Sequence, residues 1–153
     1  MARLSGKVAV ITGATSGIGL RTAEIFVAEG AKIVIAGRRV AEGEALAKQL
    51  GANCVFRQTD ITVEEQVRAL IALAAEKFGK IDCLFNNAGG PAQTGGIEGL
   101  DVERFDAAMA TLVRSVMLGM KHVAPYMKKQ GSGSIINNGS IAGRLAGFSS
   151  SVV

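Results

Sequence analysis

Short apolar runs and amphipathic stretches alternate along this chain, with glycine at most of the joins. Lys7 to Ile11 is a β-branched run ending in Thr12-Gly13, the pattern of a buried strand. From Ile18 to Glu29 the spacing turns helical and Gly30 supplies a stop. Ile33-Val34-Ile35 predicts a second strand, and a helix through Glu42, Leu46 and Leu50 ends on Gly51. Cys54-Val55-Phe56 predicts a third strand. The next helix takes Thr62 as N-cap, with Glu65 completing a capping box, and carries Val63, Val67, Leu70, Ile71, Ala74 and Phe78 on one face before Gly79. Ile81 to Phe85 predicts strand four and Ser134 to Asn137 strand five. Between them lie a glycine-rich loop, Gly89 to Gly99, and a long helix from Asp101. The apolar stripe of that helix is Phe105, Met109, Leu112, Val116, Met120, Val123 and Met127.

Strands alternating with helices over short glycine-bearing links imply an α/β fold, a parallel sheet covered on both faces. Right-handed crossovers make a doubly wound sheet of order 3-2-1-4-5 the economical topology, with a ligand crevice where the order reverses between strands one and four. No internal linker interrupts residues 1–153, which are expected to form one dinucleotide-binding domain.

Composition narrows the function. The chain is 48% hydrophobic and 20% charged, which excludes a disordered tail. Its net charge of +4 comes from scattered lysines and arginines without interleaved aromatics, so nucleic acid is not the expected partner. Cys54 and Cys83 sit in separate apolar runs at no metal-ligand spacing and read as buried, unreactive thiols, with no metal site expected. Without a signal-like start or a membrane-length apolar stretch, a cytoplasmic protein is expected.

Thr12-Gly13-Ala14-Thr15-Ser16-Gly17-Ile18-Gly19 joins the first strand to the first helix. Glycine suits a sharp turn and a close approach of backbone to phosphate, and the helix that follows offers free N–H groups to a pyrophosphate. The spacing is GxxxGxG. A P-loop would close on Gly-Lys-Ser/Thr, whereas Leu20 and Arg21 follow Gly19, and the acidic residue of a methyl-donor loop is absent. At the end of strand two, Gly37 stands where an acidic side chain would accept the adenosine ribose hydroxyls, and Arg38 is next. That favours NADP, with NAD the alternative. Asp60 follows strand three, and Asn86-Asn87-Ala88-Gly89 follows strand four; singly, each reads as an ordinary helix-start or turn feature.

Taken in order, these segments resemble the short-chain dehydrogenase/reductase family: its TGxxxGIG loop, its adenine-contacting aspartate at Asp60, and its NNAG motif. Gly133 to Gly143 (GSIINNGSIAG) resembles the strand-five segment that carries the catalytic serine. The resemblance implies cofactor contacts at Gly13, Ser16, Gly17, Ile18, Gly19, Arg38, Asp60, Ile61, Asn87, Ala88 and Gly89, and a catalytic serine at Ser140. It implies hydride transfer between the nicotinamide and a secondary alcohol or ketone, and a dimer or tetramer for a full-length relative.

The family's acid/base is a tyrosine with a lysine four residues on, which depresses a phenol pKa otherwise near ~10. The only tyrosine here, Tyr126, precedes Ser140 and is followed at that spacing by Gln130. The family's pair would fall at or just past Val153, so the chain reads as C-terminally incomplete. Leu112 occupies the position of the asparagine that helps hold the family's proton-relay water. His122 reads as a surface residue, and Ser149 to Ser151 as loop. Without the family's remaining strands and helices, the edge of strand five and the apolar face from Leu112 to Met127 are expected to be uncovered. The rival to an oxidoreductase is a non-catalytic dinucleotide-binding or interaction module.

Overall fold

The computed structural model describes residues 2–91 and 93–141. The expected loop serines 149–151 and the last residues of the strand-five segment, 142 and 143, lie outside them. Five strands, β1 (Val8–Thr12), β2 (Lys32–Gly37), β3 (Cys54–Gln58), β4 (Cys83–Asn86) and β5 (Ser134–Asn137), form one parallel sheet of order β3-β2-β1-β4-β5. This Rossmann-like order is the one that the alternation of elements implies.

Helices α1 (Gly17–Ala28) and α2 (Val40–Leu50) cover one face, where Ile11, Ile33 and Ile35 pack with Ala23 and Leu46. On the other face α3 (Glu64–Phe78) and α5 (Ser115–Gln130) bring Leu70, Ile71, Val123 and Met127 against Val10, Val34 and Leu84. Every residue of β1 is buried, as expected of the central strand of a sheet covered on both sides. Strand β5 is exposed along its whole length.

Several expectations are corrected. Thr62 does not cap α3. The helix starts one residue later than expected, and the Thr62 hydroxyl donates to Asp60 Oδ1 at 2.7 Å, a charge-assisted bond, instead of accepting a helix N–H. Val63 is the N-cap and is exposed rather than part of the buried face, and Glu65 pairs with Arg68. Gln66 takes the reach-back role instead, accepting the Asp60 N–H at 2.7 Å.

The long helix is not uniform. Helix α4 (Val102–Met109), N-capped by Asp101, runs into a π-helical segment, Ala110–Arg114, before α5 begins. One extra residue in a helix turns everything after it by about 100°. The inward face of α5 is therefore Ser115, Leu118, Gly119, Val123 and Met127, while Leu112, Val116 and Met120 are only half-buried. The uncovered apolar positions include Val113 and Met117, which the expected stripe omits.

Strand β4 starts at Cys83, two residues later than the expected Ile81. The backbone of Ile81 is held by the Gln130 carboxamide, which donates to its carbonyl and accepts from its N–H, both at 2.9 Å.

Cys54 is buried and its thiol is pushed up to about 12 by that burial. Cys83 is half-buried rather than buried; its thiol is also raised, by burial first and then by the Asp82 charge. His122 is corrected from the surface to a half-buried contact with Glu64 Oε1 at 3.1 Å, beside Lys121 on the same oxygen.

Gly119 sets how closely α5 approaches the sheet, since a methyl there would collide with the Asn86 carboxamide oxygen. Gly119→Ala is expected to destabilise the chain by about 1–3 kcal/mol through overpacking. An unchanged midpoint in urea unfolding would show that the helix lifts away without penalty.

Candidate functional site

The carboxyl ends of all five strands lie at one edge of the sheet, and β1 and β4 part there. The polypeptide leaves β1 through Gly13 toward α1 and leaves β4 through Asn87 toward the glycine-rich loop. A buried threonine holds the two departures together. Thr12 Oγ1 donates to the Phe85 carbonyl at 3.3 Å and accepts the N–H groups of Asn87 and Ala88, each at 3.0 Å. The Asn87 amide returns the contact, donating to the carbonyls of Thr12 (3.0 Å) and Gly13 (3.3 Å). Asn138, just past β5, donates to Asn87 Oδ1 at 3.1 Å, and Asn86 donates to Asn137 Oδ1 at 2.9 Å.

The glycine-rich loop divides by purpose. Gly13 has φ +65°, and a Cβ there would come within 2.7 Å of Ala88 Cα, so both conformation and space require glycine. At Gly19 a methyl would meet the Gly13 carbonyl and the Asn87 amide, so this glycine lets α1 close on the strand turn. Gly17, at φ +57°, has nothing within 4 Å of the position its Cβ would take. Ser16 is the N-cap of α1 but makes no side-chain cap, and no acidic residue stands in the first turn. A helix end of this kind, with uncapped N–H groups and positive potential, suits an anion.

A cleft of about 1070 Å³ runs along this edge. Of the residues expected to contact a cofactor, Gly13, Ser16, Ile18, Arg38, Asp60, Ile61, Asn87, Ala88 and Gly89 line it. Gly17 and Gly19 belong to the same loop without lining the cleft, and Ser140 lies just past β5, exposed and outside its lining. Leu112 approaches the site from the π segment, its Cδ2 3.5 Å from where a Cβ on Gly89 would be. Tyr126 packs beside the α3–α5 core cluster.

The two arginines after β2 have different employment. Arg39 is bound to the protein: Nη2 donates to Thr15 O at 3.0 Å and Thr15 Oγ1 at 3.1 Å, and Nη1 pairs with Glu42 at 3.2 Å. Both residues line the cleft, but the Arg38 guanidinium makes no hydrogen bond or ion pair among the described residues. Its charge reaches Asp60. The Thr62 hydroxyl and N–H, both on Asp60 Oδ1, hold that carboxyl below its usual range, and the Arg38 charge adds to the effect against a partly opposing burial.

Thr62 and Asn138 are not legible as site residues in the sequence, and Thr12, Thr15 and Arg39 stand there within motifs without duties of their own. A threonine ending a strand and an asparagine after one are ordinary turn chemistry until their partners, dozens of residues away, are in place.

A sheet of this order with a glycine-rich crossover at its switch point defines a Rossmann-like nucleotide fold. The chain belongs to the short chain dehydrogenase family, whose sequence profile matches residues 7–152 and whose members bind NAD(P). Among its relatives, short-chain dehydrogenase reductase 3a of Arabidopsis thaliana is 39% identical over 95% of this chain and 57% of its own length. Tropinone reductase-like 2 of Erythroxylum coca is 37% identical, over 96% and 54% respectively. (+)-Borneol dehydrogenase 1 of Salvia officinalis is 40% identical, over 96% and 57%. The chain thus spans about half the length of the curated relatives it matches. Among the described residues, no helix is long and apolar enough to cross a membrane.

Two outcomes are expected. Thr12→Val keeps the shape but strands two N–H donors and a carbonyl, so stability should fall by about 2–4 kcal/mol, measured by urea unfolding. A loss under 0.5 kcal/mol would mean that water replaces the hydroxyl. For Asp60, the folded pKa lies below the unfolded one, so its stabilisation is present above the unfolded pKa and is lost as pH falls through the folded pKa. Stability against pH should therefore fall less steeply on the acid side in Asp60→Asn than in the wild type; identical acid limbs would contradict this.

Proposed function

We propose that this chain is the cofactor-binding portion of an NAD(P)-dependent oxidoreductase that interconverts a secondary alcohol and a ketone, with the phosphorylated cofactor favoured. The observation that carries the cofactor preference is the pairing of Gly37, which presents no side chain at the tip of β2, with an uncommitted Arg38 guanidinium on the same cleft. A 2′-phosphate offers such a guanidinium charge-assisted hydrogen bonds, whereas a ribose hydroxyl at that place finds no carboxylate.

The residues fit the rest of a dinucleotide in the same sense. The open side of Gly17 and the uncapped start of α1 suit the pyrophosphate. Asp60 and Ile61 would flank the adenine, and Asn87, Ala88 and Gly89, fixed by Thr12, would line the path toward the nicotinamide. The nicotinamide, when bound, supplies or accepts the hydride. Ser140 would hydrogen-bond the substrate oxygen.

No tyrosine with a lysine four residues on occurs in the 153 residues: Gln130 follows Tyr126 at that spacing, and its carboxamide is committed to Ile81. By itself this chain is therefore proposed to bind cofactor without turning substrate over. Leu112 in the asparagine position favours as a second reading a non-catalytic dinucleotide-binding or interaction module.

Calorimetric titration of the full chain should show NADPH binding more tightly than NADH. Arg38→Ala should weaken NADPH by about 10- to 100-fold, the loss of a charge-assisted contact, while leaving NADH within about threefold. Equal losses for both dinucleotides would remove Arg38 as the phosphate partner.

A further inference from the structure

Gly37 is glycine for lack of room and not for backbone reasons. Its φ lies outside the left-handed region, so the backbone accepts any side chain. A Cβ at this position, however, would stand 2.7 Å from Thr15 Cγ2 and 3.2 Å from Thr15 Oγ1. Such a contact is cheaply relieved when the neighbour is a flexible chain end. Thr15 is not one. It is β-branched, with few rotamers, and Arg39 holds both its hydroxyl, through Nη2 (3.1 Å) and Nε (3.3 Å), and its carbonyl (3.0 Å). Turning the methyl away carries the hydroxyl off Arg39, and moving the backbone breaks the carbonyl contact as well. Glu42 steadies the same guanidinium from α2.

We propose that Thr15 is a specificity-determining residue of the cleft: braced by Arg39 over Gly37, it bars a side chain at the tip of β2 that would bind the ribose 2′-hydroxyl. The position is thereby reserved for a 2′-phosphate facing Arg38. The proposal rests on the dinucleotide reading above and extends it, since cofactor choice is assigned to Thr15, Gly37 and Arg39 acting together and not to Arg38 alone. Arg39 is a positioning residue, spent on the loop. An acidic residue introduced at position 37 meets the Thr15 methyl before it meets any ribose.

Two measurements on the full chain test this, and they fail separately. The first needs no cofactor: Gly37→Ala should lower Tm by about 4 °C or more, and adding Thr15→Ser, which removes only the methyl, should restore most of the loss. A Gly37→Ala chain as stable as the wild type, or one that Thr15→Ser does not rescue, overturns the proposal. The second is calorimetric titration with NADPH and NADH. Gly37→Asp should lose at least tenfold in NADPH affinity without gaining NADH. Thr15→Ser/Gly37→Asp should bind NADH at least tenfold more tightly than Gly37→Asp. Equal NADH affinity in the single and double variants overturns the proposed role of Thr15 while leaving the cofactor reading intact. A wild-type chain that binds neither dinucleotide overturns the cofactor reading and this specificity role with it.

Discussion

One buried hydroxyl, that of Thr12, holds the two halves of the cleft at their separation. A doubly wound sheet has to part at the point where its strand order reverses, and the backbone groups exposed by the parting can no longer pair with a neighbouring strand. Thr12 Oγ1 takes up two of the N–H groups left at the exit of β4, those of Asn87 and Ala88, and donates to the Phe85 carbonyl. Asn87 then ties its amide back to the carbonyls on the β1 side, and Asn138 ties β5 to Asn87. The crevice is therefore a seam closed at its base by side chains, and its walls inherit their positions from that seam.

The sheet and its order were legible because they depend on patterns that act over a few residues. Val8 to Ile11 and Ile33 to Ile35 are apolar without interruption, and Gly51 and Gly79 stop their helices with φ values of +73° and +81°. The stripe on α3 was legible for the same reason, since Val67, Leu70, Ile71 and Ala74 face the core as their spacing implies. The long helix was read wrongly on one side because periodicity assumes a constant turn. The π segment at Ala110–Arg114 breaks that assumption, and the residues it rotates inward, Ser115 and Gly119, are too small or too polar to register as a hydrophobic face. The cap of α3 differs for another reason: the Asp60 carboxylate, two residues away, gathers both the N–H and the hydroxyl of Thr62 into a turn ahead of the helix, which then starts from Val63.

In the site, residue types were legible and their duties were not. Arg38 and Arg39 are adjacent, chemically identical and both line the cleft, yet one guanidinium braces Thr15 while the other makes no hydrogen bond or ion pair among the described residues. The difference arises from which guanidinium lies beside the Thr15 carbonyl, and Thr15 is 24 residues away from Arg39 along the chain. Leu112 shows the converse. Its type departs from the family's asparagine, while its place beside Gly89 lies in a π segment that brings it to the edge of the site.

The glycines of the loop carry this furthest. Gly13 and Gly19 are needed where protein meets protein, against Ala88 and against Gly13's own carbonyl and Asn87. Gly17 is needed for its left-handed backbone and leaves open space at its side. Gly37 needs no special backbone and is small because Thr15 is large. The loop glycines and Gly37 at the tip of β2 thus meet three separate constraints: close packing beneath the cleft, a turn at its wall, and a vacancy defended by a neighbour. Only the first two follow from the chemistry of glycine itself. The third belongs to the pair formed with Thr15, which is why the width of the cleft at the tip of β2 depends on Arg39, whose guanidinium is spent on Thr15 and Glu42.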